Sequence, residues 1–355
     1  MIECEYVNGG QTEKFEIGAV AEYLGRQGGV VWVDMEAPSD EEIDLLSSVF
    51  HFHPLAIEDV QKAGQRAKVA DYDQYVFVVM HELQPDMGHS IDQPCIKHTA
   101  EIHAFAGNNF IVSVHREPSE SVATTRKRWH STMDLHHLGA FALLYLMLDT
   151  VVDDYFPAID AFDDRIDRLE QYVIQPAKQD VRMPDKREED SVERLDVLTA
   201  LIAVRRSLLE TRRFVAPLRD AVNVLLRRAE ASQPSGANSV DRERGERAKV
   251  LFTYYQDVYD HTIRIVDTID TYRDLLAGTL DAHLAVASNR LNEIVKVLTS
   301  VSIILMTWSG ITGLYGMNYE NMPELHWKYG YFYALTLMIV TGVLEWIYFR
   351  RRKWL

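Results

Sequence analysis

The sequence predicts an α+β cytoplasmic domain followed by a long stalk helix and two C-terminal transmembrane helices. Strand-like and helix-like patterns alternate over residues 1–137, whereas only helical patterns follow from residue 138. Residues 297–319 then form a run without a single Asp, Glu, Lys, Arg or His, longer than the roughly 20 apolar residues needed to cross a bilayer core. A second apolar run, residues 329–349, is also long enough, although Glu345 interrupts it.

Composition and charge narrow the function classes. The 355 residues carry a net charge of -16, which disfavours nucleic acid as a partner and favours cations. No Gly-Lys dipeptide occurs, so the sequence offers no phosphate-binding loop and predicts no nucleotide partner. No convergent nucleophile and base are visible, so we predict that the chain is not an enzyme. The two cysteines, Cys4 and Cys95, fit a reducing compartment as ordinary thiols.

The first domain, residues 1–137, shows the patterns of an α/β domain with a mixed or antiparallel sheet. Ser39 and Glu42 form a predicted capping box that opens a helix. Two apolar runs predict a hairpin because the turn residues Ala-Gly-Asn-Asn at 106–109 separate them. The predicted strands include Val30–Met35, Tyr75–Met80, Ala100–Phe105 and Phe110–His115.

Helical patterns continue from this domain to the membrane. Residues 138–234 predict a long antiparallel helical pair, roughly 138–175 and 187–232, because Pro176 and Pro184 break the pattern between them. Residues 235–296 predict a stalk helix. No proline occurs between Pro234 and Pro323, so we expect the stalk to continue without a break into the first membrane span.

The stalk helix carries two stripes. Apolar side chains on one stripe predict packing partners along its length. Aspartates on the other recur every seven residues, which keeps them on one side of a supercoiled helix. A solvated face on an ordinary helix of a bundle would also produce such an acidic stripe. Its members are Asp260, Asp267, Asp274 and Asp281.

The flanking charges predict how the membrane hairpin is oriented. Arginine and lysine flank its two ends towards the termini, whereas the connecting loop is acidic, so the positive-inside rule places both termini in the cytoplasm. We also expect the protein to be a multi-pass protein of the cell inner membrane. Glu345 is expected to reach the inner headgroups near Arg350 or to pair with another helix. The predicted segments are a first transmembrane helix at 297–316, an external loop at 317–328, a second transmembrane helix at 329–349 and a basic tail at 350–355.

The first transmembrane helix and the end of the stalk share one small, partly polar face. In a lone hairpin, such a face usually packs helices through small residues. In a symmetric ring it would line a pore. Its members recur every three or four residues and are Asn292, Val295, Leu298 or Thr299, Ser302, Met306, Ser309 and Gly313.

A motif at the end of the first span resembles the signature of a known family. Tyr315-Gly316-Met317-Asn318 followed by Met322-Pro323-Glu324-Leu325 is similar to the signature of the CorA family of magnesium/cobalt transporters, which are divalent-cation channels. The resemblance covers nearly the whole chain. Its further stretches are His53–Asp59, Val152–Phe156, Asp257–His261, Asn292–Thr299 and Lys353–Leu355.

The resemblance implies a funnel-shaped homopentamer in membrane lipid, with the first transmembrane helix lining a central pore. Gly316, Met317 and Asn318 would form the selectivity filter, where five Asn318 side chains accept hydrogen bonds from water bound to the cation. Glu320 and Glu324, in the external loop, would raise the local cation concentration. Asp281 would add an acidic ring at the cytoplasmic end of the pore.

The resemblance also implies a regulatory Mg²⁺ site in the cytoplasmic part. Asp59 and Asp257 of neighbouring protomers would share an ion that holds the pore shut. Glu58, Asp149 and His261 would form a second, looser site. When the ion leaves, repulsion between the carboxylates would loosen the ring and open the pore.

The identity of the transported ion has alternatives. Retention of Gly-Met-Asn favours Mg²⁺ influx, with Co²⁺ and Ni²⁺ as further candidates because their hydrated ions are similar in size. A zinc transporter of the same family, with or without proton coupling, is one alternative. A membrane-tethered sensor that conducts no ion is another.

Overall fold

The computed structural model describes residues 1–62, 64–85, 96–174, 187–231, 239–317, 322–323 and 327–354. These residues divide into two compact units, Met1–Gly278 and Thr279–Leu355. The second cysteine, Cys95, lies outside the described residues. Cys4 is buried, and this burial together with the charge of Glu5 raises the pKa of its thiol to about 11, as fits an unreactive structural thiol.

The first unit is built on a mixed seven-stranded sheet. Its spatial order is β2-β1-β3-β7-β6-β5-β4. The β3–β7 pair is parallel, and the five other pairs are antiparallel, so the sheet is the mixed one of the two alternatives that the sequence left open. The strands are β1 (Ile2–Asn8), β2 (Gln11–Phe15), β3 (Val30–Glu36), β4 (Lys68–Tyr72), β5 (Tyr75–Pro85), β6 (Ile96–Gly107) and β7 (Phe110–His115).

Nine α-helices lie in the described part of the chain. The predicted capping box is present, because Ser39 accepts a hydrogen bond from the Glu42 amide and Glu42 accepts one from the Ser39 amide. The helices are α1 (Val20–Leu24), α2 (Asp40–Phe50), α3 (Pro54–Gln61), α4 (Glu120–Ser131), α5 (Ala140–Asp153), α6 (Tyr155–Ile174), α7 (Arg187–Ala231), α8 (Ser239–Tyr315) and α9 (Gly330–Arg351).

The helix expected over residues 138–175 is divided in two. α5 ends at Asp153, and α6 begins at Tyr155. Pro157 explains the break, because a proline inside a helix lacks the amide donor and its ring clashes with the carbonyl four residues earlier. That carbonyl belongs to Asp153, the last residue of α5.

One face of the sheet packs against α2 and α3. Its core consists of alternate apolar side chains from the central strands, as expected for strands with one face turned inward. Phe52, between the two helices, stacks on Phe105 of β6 with ring centroids 4.0 Å apart. The aromatic contact fixes the position of α3, whose acidic residues enter the candidate site below.

Charged side chains lie buried between the other face of the sheet and α4. Asp34 accepts hydrogen bonds from Ser113 Oγ (2.6 Å) and Arg126 Nη2 (2.7 Å). Trp32 Nε1 donates to Ser113 Oγ at 2.9 Å. His115 Nε2 lies 3.3 Å from Asp34 Oδ1, and both residues are less than a tenth exposed. Burial without these partners would be costly, so the group ties β3, β7 and α4 together.

The second unit contains the C-terminal part of α8 and all of α9. Two described helices are long and apolar enough to span a membrane, namely Gly245–Tyr315 of α8 and α9 itself. Trp308 Nε1 of α8 donates to the Met338 carbonyl of α9 at 2.9 Å. A Cβ atom at Gly342 would lie 3.0 Å from the Trp308 ring, so a glycine allows this close helix contact.

Candidate functional site

Helix α3 positions the first pair of candidate ligands. It begins after His53, whose Nδ1 accepts a hydrogen bond from the Leu55 amide at 3.2 Å, and Pro54 occupies the first helical position. Asp59 Oδ2 accepts a hydrogen bond from Lys68 Nζ of β4 at 2.7 Å. Glu58 forms an ion pair with Lys62 one turn further along. Each candidate carboxylate therefore already has a lysine partner within the chain.

Helix α8 positions the second pair. Asp257 and His261 lie one turn apart, with Asp257 Oδ1 3.9 Å from His261 Nε2. The Asp257 side chain is 59% exposed, so it is accessible to an ion or to another protomer. The His261 ring packs edge-on against Phe156, with centroids 5.6 Å apart.

Two aspartates of α5 approach His261. One potential ligand atom from each of Asp149, Asp153 and His261 lies within 4.8 Å of the other two. Asp149 is buried and forms an ion pair with Arg128. Burial, followed by the charge of Asp149, raises the pKa of Asp153 despite the opposing charges of Arg128 and His261. Two carboxylates and one imidazole form a donor set that suits Co²⁺, Ni²⁺ or Zn²⁺ better than Mg²⁺.

Asp153 is missing from the candidates that the sequence offered. In the sequence it stands among several acidic residues between positions 153 and 170, a pattern that a solvated helix face explains. Its separation of four residues from Asp149 is the available signal, because residues four apart share a helix face. What makes the position notable is His261, more than a hundred residues away in the chain, which only the tertiary structure brings beside it.

The candidate pore positions lie on a face of α8 away from α9. Successive residues turn by about 100° around a helix, so Thr307, Trp308 and the buried Ser300 share the side on which α9 is contacted. Leu298 and Met306 point to the opposite side and are 64% and 74% exposed. Exposed with them are Asn292, Val295, Ser302, Ser309 and Gly313, while Thr299 is half-buried. Asp281 is exposed on the same helix.

The Gly-Met-Asn motif begins where α8 ends. The Gly316 amide donates to the Thr312 carbonyl at 2.9 Å, and the Met317 amide donates to the Leu314 carbonyl at 3.4 Å. Gly316 has no positive φ; a Cβ atom there would instead lie 3.1 Å from the Thr312 carbonyl oxygen. Asn318, Glu320 and Glu324 lie outside the described residues.

Glu345 makes a contact within the hairpin. Its Oε1 accepts a hydrogen bond from Thr307 Oγ1 of α8 at 2.7 Å. Of the two roles expected for Glu345, this contact agrees with pairing to another helix. The side chain also borders an open apolar cavity of about 540 Å³ between α8 and α9. The other lining residues are Ile303, Leu344, Tyr348, Phe349 and Trp354.

Known proteins resemble this chain over nearly its whole length. The family model described as CorA-like Mg2+ transporter protein matches residues 27–351. YfjQ of Bacillus subtilis (strain 168) is 33% identical over 317 residues, which are 89% of this chain and 87% of YfjQ. The cobalt/magnesium transport protein CorA of Thermotoga maritima is 32% identical over 315 residues, 88% of this chain and 80% of that protein.

A solved structure shares the fold. The complete structure of the CorA magnesium transporter from Methanocaldococcus jannaschii superimposes with a TM-score of 0.72 at 20% identity, covering 100% of this chain and 99% of that chain. The mixed sheet, the long helix and the C-terminal helix therefore form a known arrangement. With the family model matching most of its residues, the chain belongs to the CorA-like Mg2+ transporter family.

Proposed function

We propose that this chain is the protomer of a homopentameric divalent-cation influx channel, funnel-shaped and set in the cell inner membrane with both termini in the cytoplasm. Family membership and the names of the relatives support divalent-cation transport, with Mg²⁺ as the leading ion and Co²⁺ as the next. The observation that carries the pore is the small, partly polar face of α8, which lies away from α9. In a ring of protomers this face would turn to the axis.

The proposed filter uses neutral oxygen atoms. Mg²⁺ gives up its octahedral water shell reluctantly, so full dehydration at a narrow filter would be slow. Five Asn318 side-chain oxygens accept hydrogen bonds from the bound waters without holding the ion as carboxylates would. Asn292 supplies a second polar ring, and Leu298 and Met306 supply apolar constrictions that close by dewetting. Glu320 and Glu324 attract cations to the outer mouth.

The proposed control is cytoplasmic Mg²⁺ held between protomers by Asp59 and Asp257. Both offer the carboxylate oxygen atoms that Mg²⁺ prefers, and the exposure of Asp257 allows contact with a neighbour. These carboxylates repel each other when no ion lies between them, which favours the open ring. A second, looser site would use Asp149 and His261 with Asp153, near Glu58 of a neighbour, and would suit Co²⁺, Ni²⁺ or Zn²⁺.

The filter predicts the effect of replacing Asn318. In liposomes containing the purified protein, Asn318→Ala should slow Mg²⁺ uptake at least about tenfold, since each subunit loses a hydrogen bond to a charged ligand. Asn321→Ala, in the same loop, is the matched control and should retain the parent rate. Unchanged uptake by Asn318→Ala would favour a membrane-tethered sensor, because the Asn318 ring would then not be a filter.

The same liposomes test which ion the protein transports. Uptake of Mg²⁺, Co²⁺ and Zn²⁺ is compared with and without a pH gradient. We expect Mg²⁺ and Co²⁺ uptake that needs no proton gradient. Zinc uptake that requires the gradient, with no Mg²⁺ uptake, would replace the proposal by a proton-coupled zinc transporter.

A further inference from the structure

The ammonium group of Lys68 is paired with the Asp59 carboxylate, which the proposed regulatory site needs as a ligand. Its Nζ lies 2.7 Å from Asp59 Oδ2, and the two side chains are 37% and 24% exposed. The residues are nine positions apart and come from different elements, β4 and α3. Their contact therefore depends on how α3 docks beside the edge of the sheet.

The surroundings hold the ammonium in place. Gln65 Oε1 lies 3.5 Å from Lys68 Nζ, and the ammonium lies 6.0 Å from the centre of the Phe77 ring. The chain between α3 and β4 is itself anchored, because the amides of Gly64 and Gln65 donate to the Glu101 carboxylate at 2.8 and 3.2 Å. Lys68 is thus directed towards Asp59 by several contacts.

The neighbouring lysine pair is different. Lys62 and Glu58 lie on one face of a helix end, with side chains 69% and 50% exposed. Such exposed pairs are weak because both side chains must be ordered and water screens the charges. The Lys68–Asp59 pair is the more shielded of the two, so its attraction is less reduced by solvent.

We propose that Lys68 is a tethered competitor for the divalent cation at Asp59. This rests on the proposed regulatory role of Asp59. The ammonium and the ion need the same carboxylate, and a positive charge beside a bound cation repels it. Lys68 therefore raises the cytoplasmic Mg²⁺ concentration at which the regulatory site fills, and so sets the concentration at which the channel closes.

The test measures Mg²⁺ binding without measuring flux. The full-length protein in detergent is digested with chymotrypsin over a series of Mg²⁺ concentrations, and the concentration giving half-maximal protection is recorded. Chymotrypsin is chosen because replacing a lysine would remove a trypsin site. Lys68→Met should lower this concentration about threefold to tenfold, as expected for losing one nearby, partly shielded positive charge.

Three further variants control the result. Lys68→Arg keeps the positive charge and should stay near the parent value. Lys14→Met makes the same substitution on β2, at the opposite edge of the seven-stranded sheet, and should leave the midpoint unchanged. Lys68→Gln replaces Lys68→Met if the methionine variant folds poorly.

Asp59→Asn separates the two proposals. If Asp59→Asn weakens Mg²⁺ protection while Lys68→Met leaves the midpoint unchanged, the regulatory site stands and the competitor role is overturned. If Asp59→Asn has no effect on protection, the regulatory role of Asp59 fails, and the role of Lys68 fails with it. A shift with Lys14→Met as large as with Lys68→Met would also overturn the proposal, because net charge alone would then explain it.

Discussion

The buried pair of Asp34 and His115 links the stability of the fold to pH. Burial alone would lower the pKa of His115, but the Asp34 carboxylate, 3.3 Å from the ring, outweighs burial and raises it. Burial alone would raise the pKa of Asp34, but the nearby His115 ring, the hydrogen bond from Ser113 and the charge of Arg126 together lower it. Both residues are therefore charged together at pH values between their two pKa values, and the two shifts extend this window at both ends.

The signs of these shifts predict the behaviour of His115→Gln. A raised pKa means that the stabilising contribution of His115 is fully present below its unfolded pKa of about 6.5 and is lost as pH rises through the higher folded pKa. His115→Gln should therefore lower the free energy of unfolding by about 1–3 kcal/mol near pH 6 and by less near pH 9. Thermal unfolding of the full-length protein in detergent at both pH values measures the difference.

Asp34 sets the lower limit of this window. Its lowered pKa contributes stability above its unfolded value of about 4, and this contribution is lost as pH falls through the folded pKa.

The exposed His137 provides the control for His115→Gln, since His137→Gln should cost little stability at either pH. An equal loss of stability at both pH values would show that His115→Gln acts through packing rather than charge.

At the scale of the element, the contact between α8 and α9 depends on a glycine. A Cβ atom at Gly342 would lie 3.0 Å from the Trp308 ring, whose Nε1 donates to the Met338 carbonyl. Membrane helices gain most of their association from close packing and interhelical hydrogen bonds. A large side chain at Gly342 would disturb both at once.

We therefore expect Gly342→Leu to destabilise the hairpin. The thermal unfolding midpoint of the protein in detergent should fall, and the overpacking cost should be about 1–3 kcal/mol. Val343→Leu, at the adjacent exposed position of α9, should leave the midpoint near that of the parent. If both variants melt alike, the contact of Trp308 with Gly342 contributes little to the hairpin.

Local sequence patterns predict some helix boundaries correctly and miss others. The capping box of α2 was predictable because Ser39 and Glu42 interact three residues apart. The break between α5 and α6 was also encoded locally, by Pro157, but the apolar periodicity around it continues and masks it. The unbroken α8 was predictable because it contains no proline.

At the scale of the whole molecule, family membership confirms that the chain is a transporter rather than an enzyme. In the proposed homopentamer, Asp257 would contribute to an ion site shared with a neighbouring protomer. Asp257→Ala should raise the Mg²⁺ concentration needed for half-maximal protease protection at least about tenfold, since ligand charge largely tunes affinity in such sites.

A second aspartate of α8 makes the matched control. Asp267 is exposed and belongs to the acidic stripe, so Asp267→Ala removes the same charge from the same helix and should change protection little. Both variants are compared by chymotrypsin digestion and by their mass in detergent, which should correspond to five protomers. Unchanged protection with Asp257→Ala in an intact pentamer would show that Asp257 is not a ligand of the regulatory Mg²⁺ site.

The sequence by itself determined the membrane hairpin, the long α8 and the family. A charge-free run, a proline-free interval and Gly316-Met317-Asn318 are all read along the chain, and the physics behind them is local. The candidate ligands Asp59 and Asp257 come instead from the resemblance to the CorA family, in the stretches His53–Asp59 and Asp257–His261.

Only the tertiary structure decided which charged groups meet. Lys68 reaches Asp59 because α3 docks beside β4, and Asp153 joins His261 because α5 lies beside α8. The parallel pairing of β3 with β7, which brings Asp34 to His115, skips three intervening strands of the chain. Such contacts depend on sheet order and helix docking, which arise from the packing of the whole core and leave no short-range pattern in the sequence.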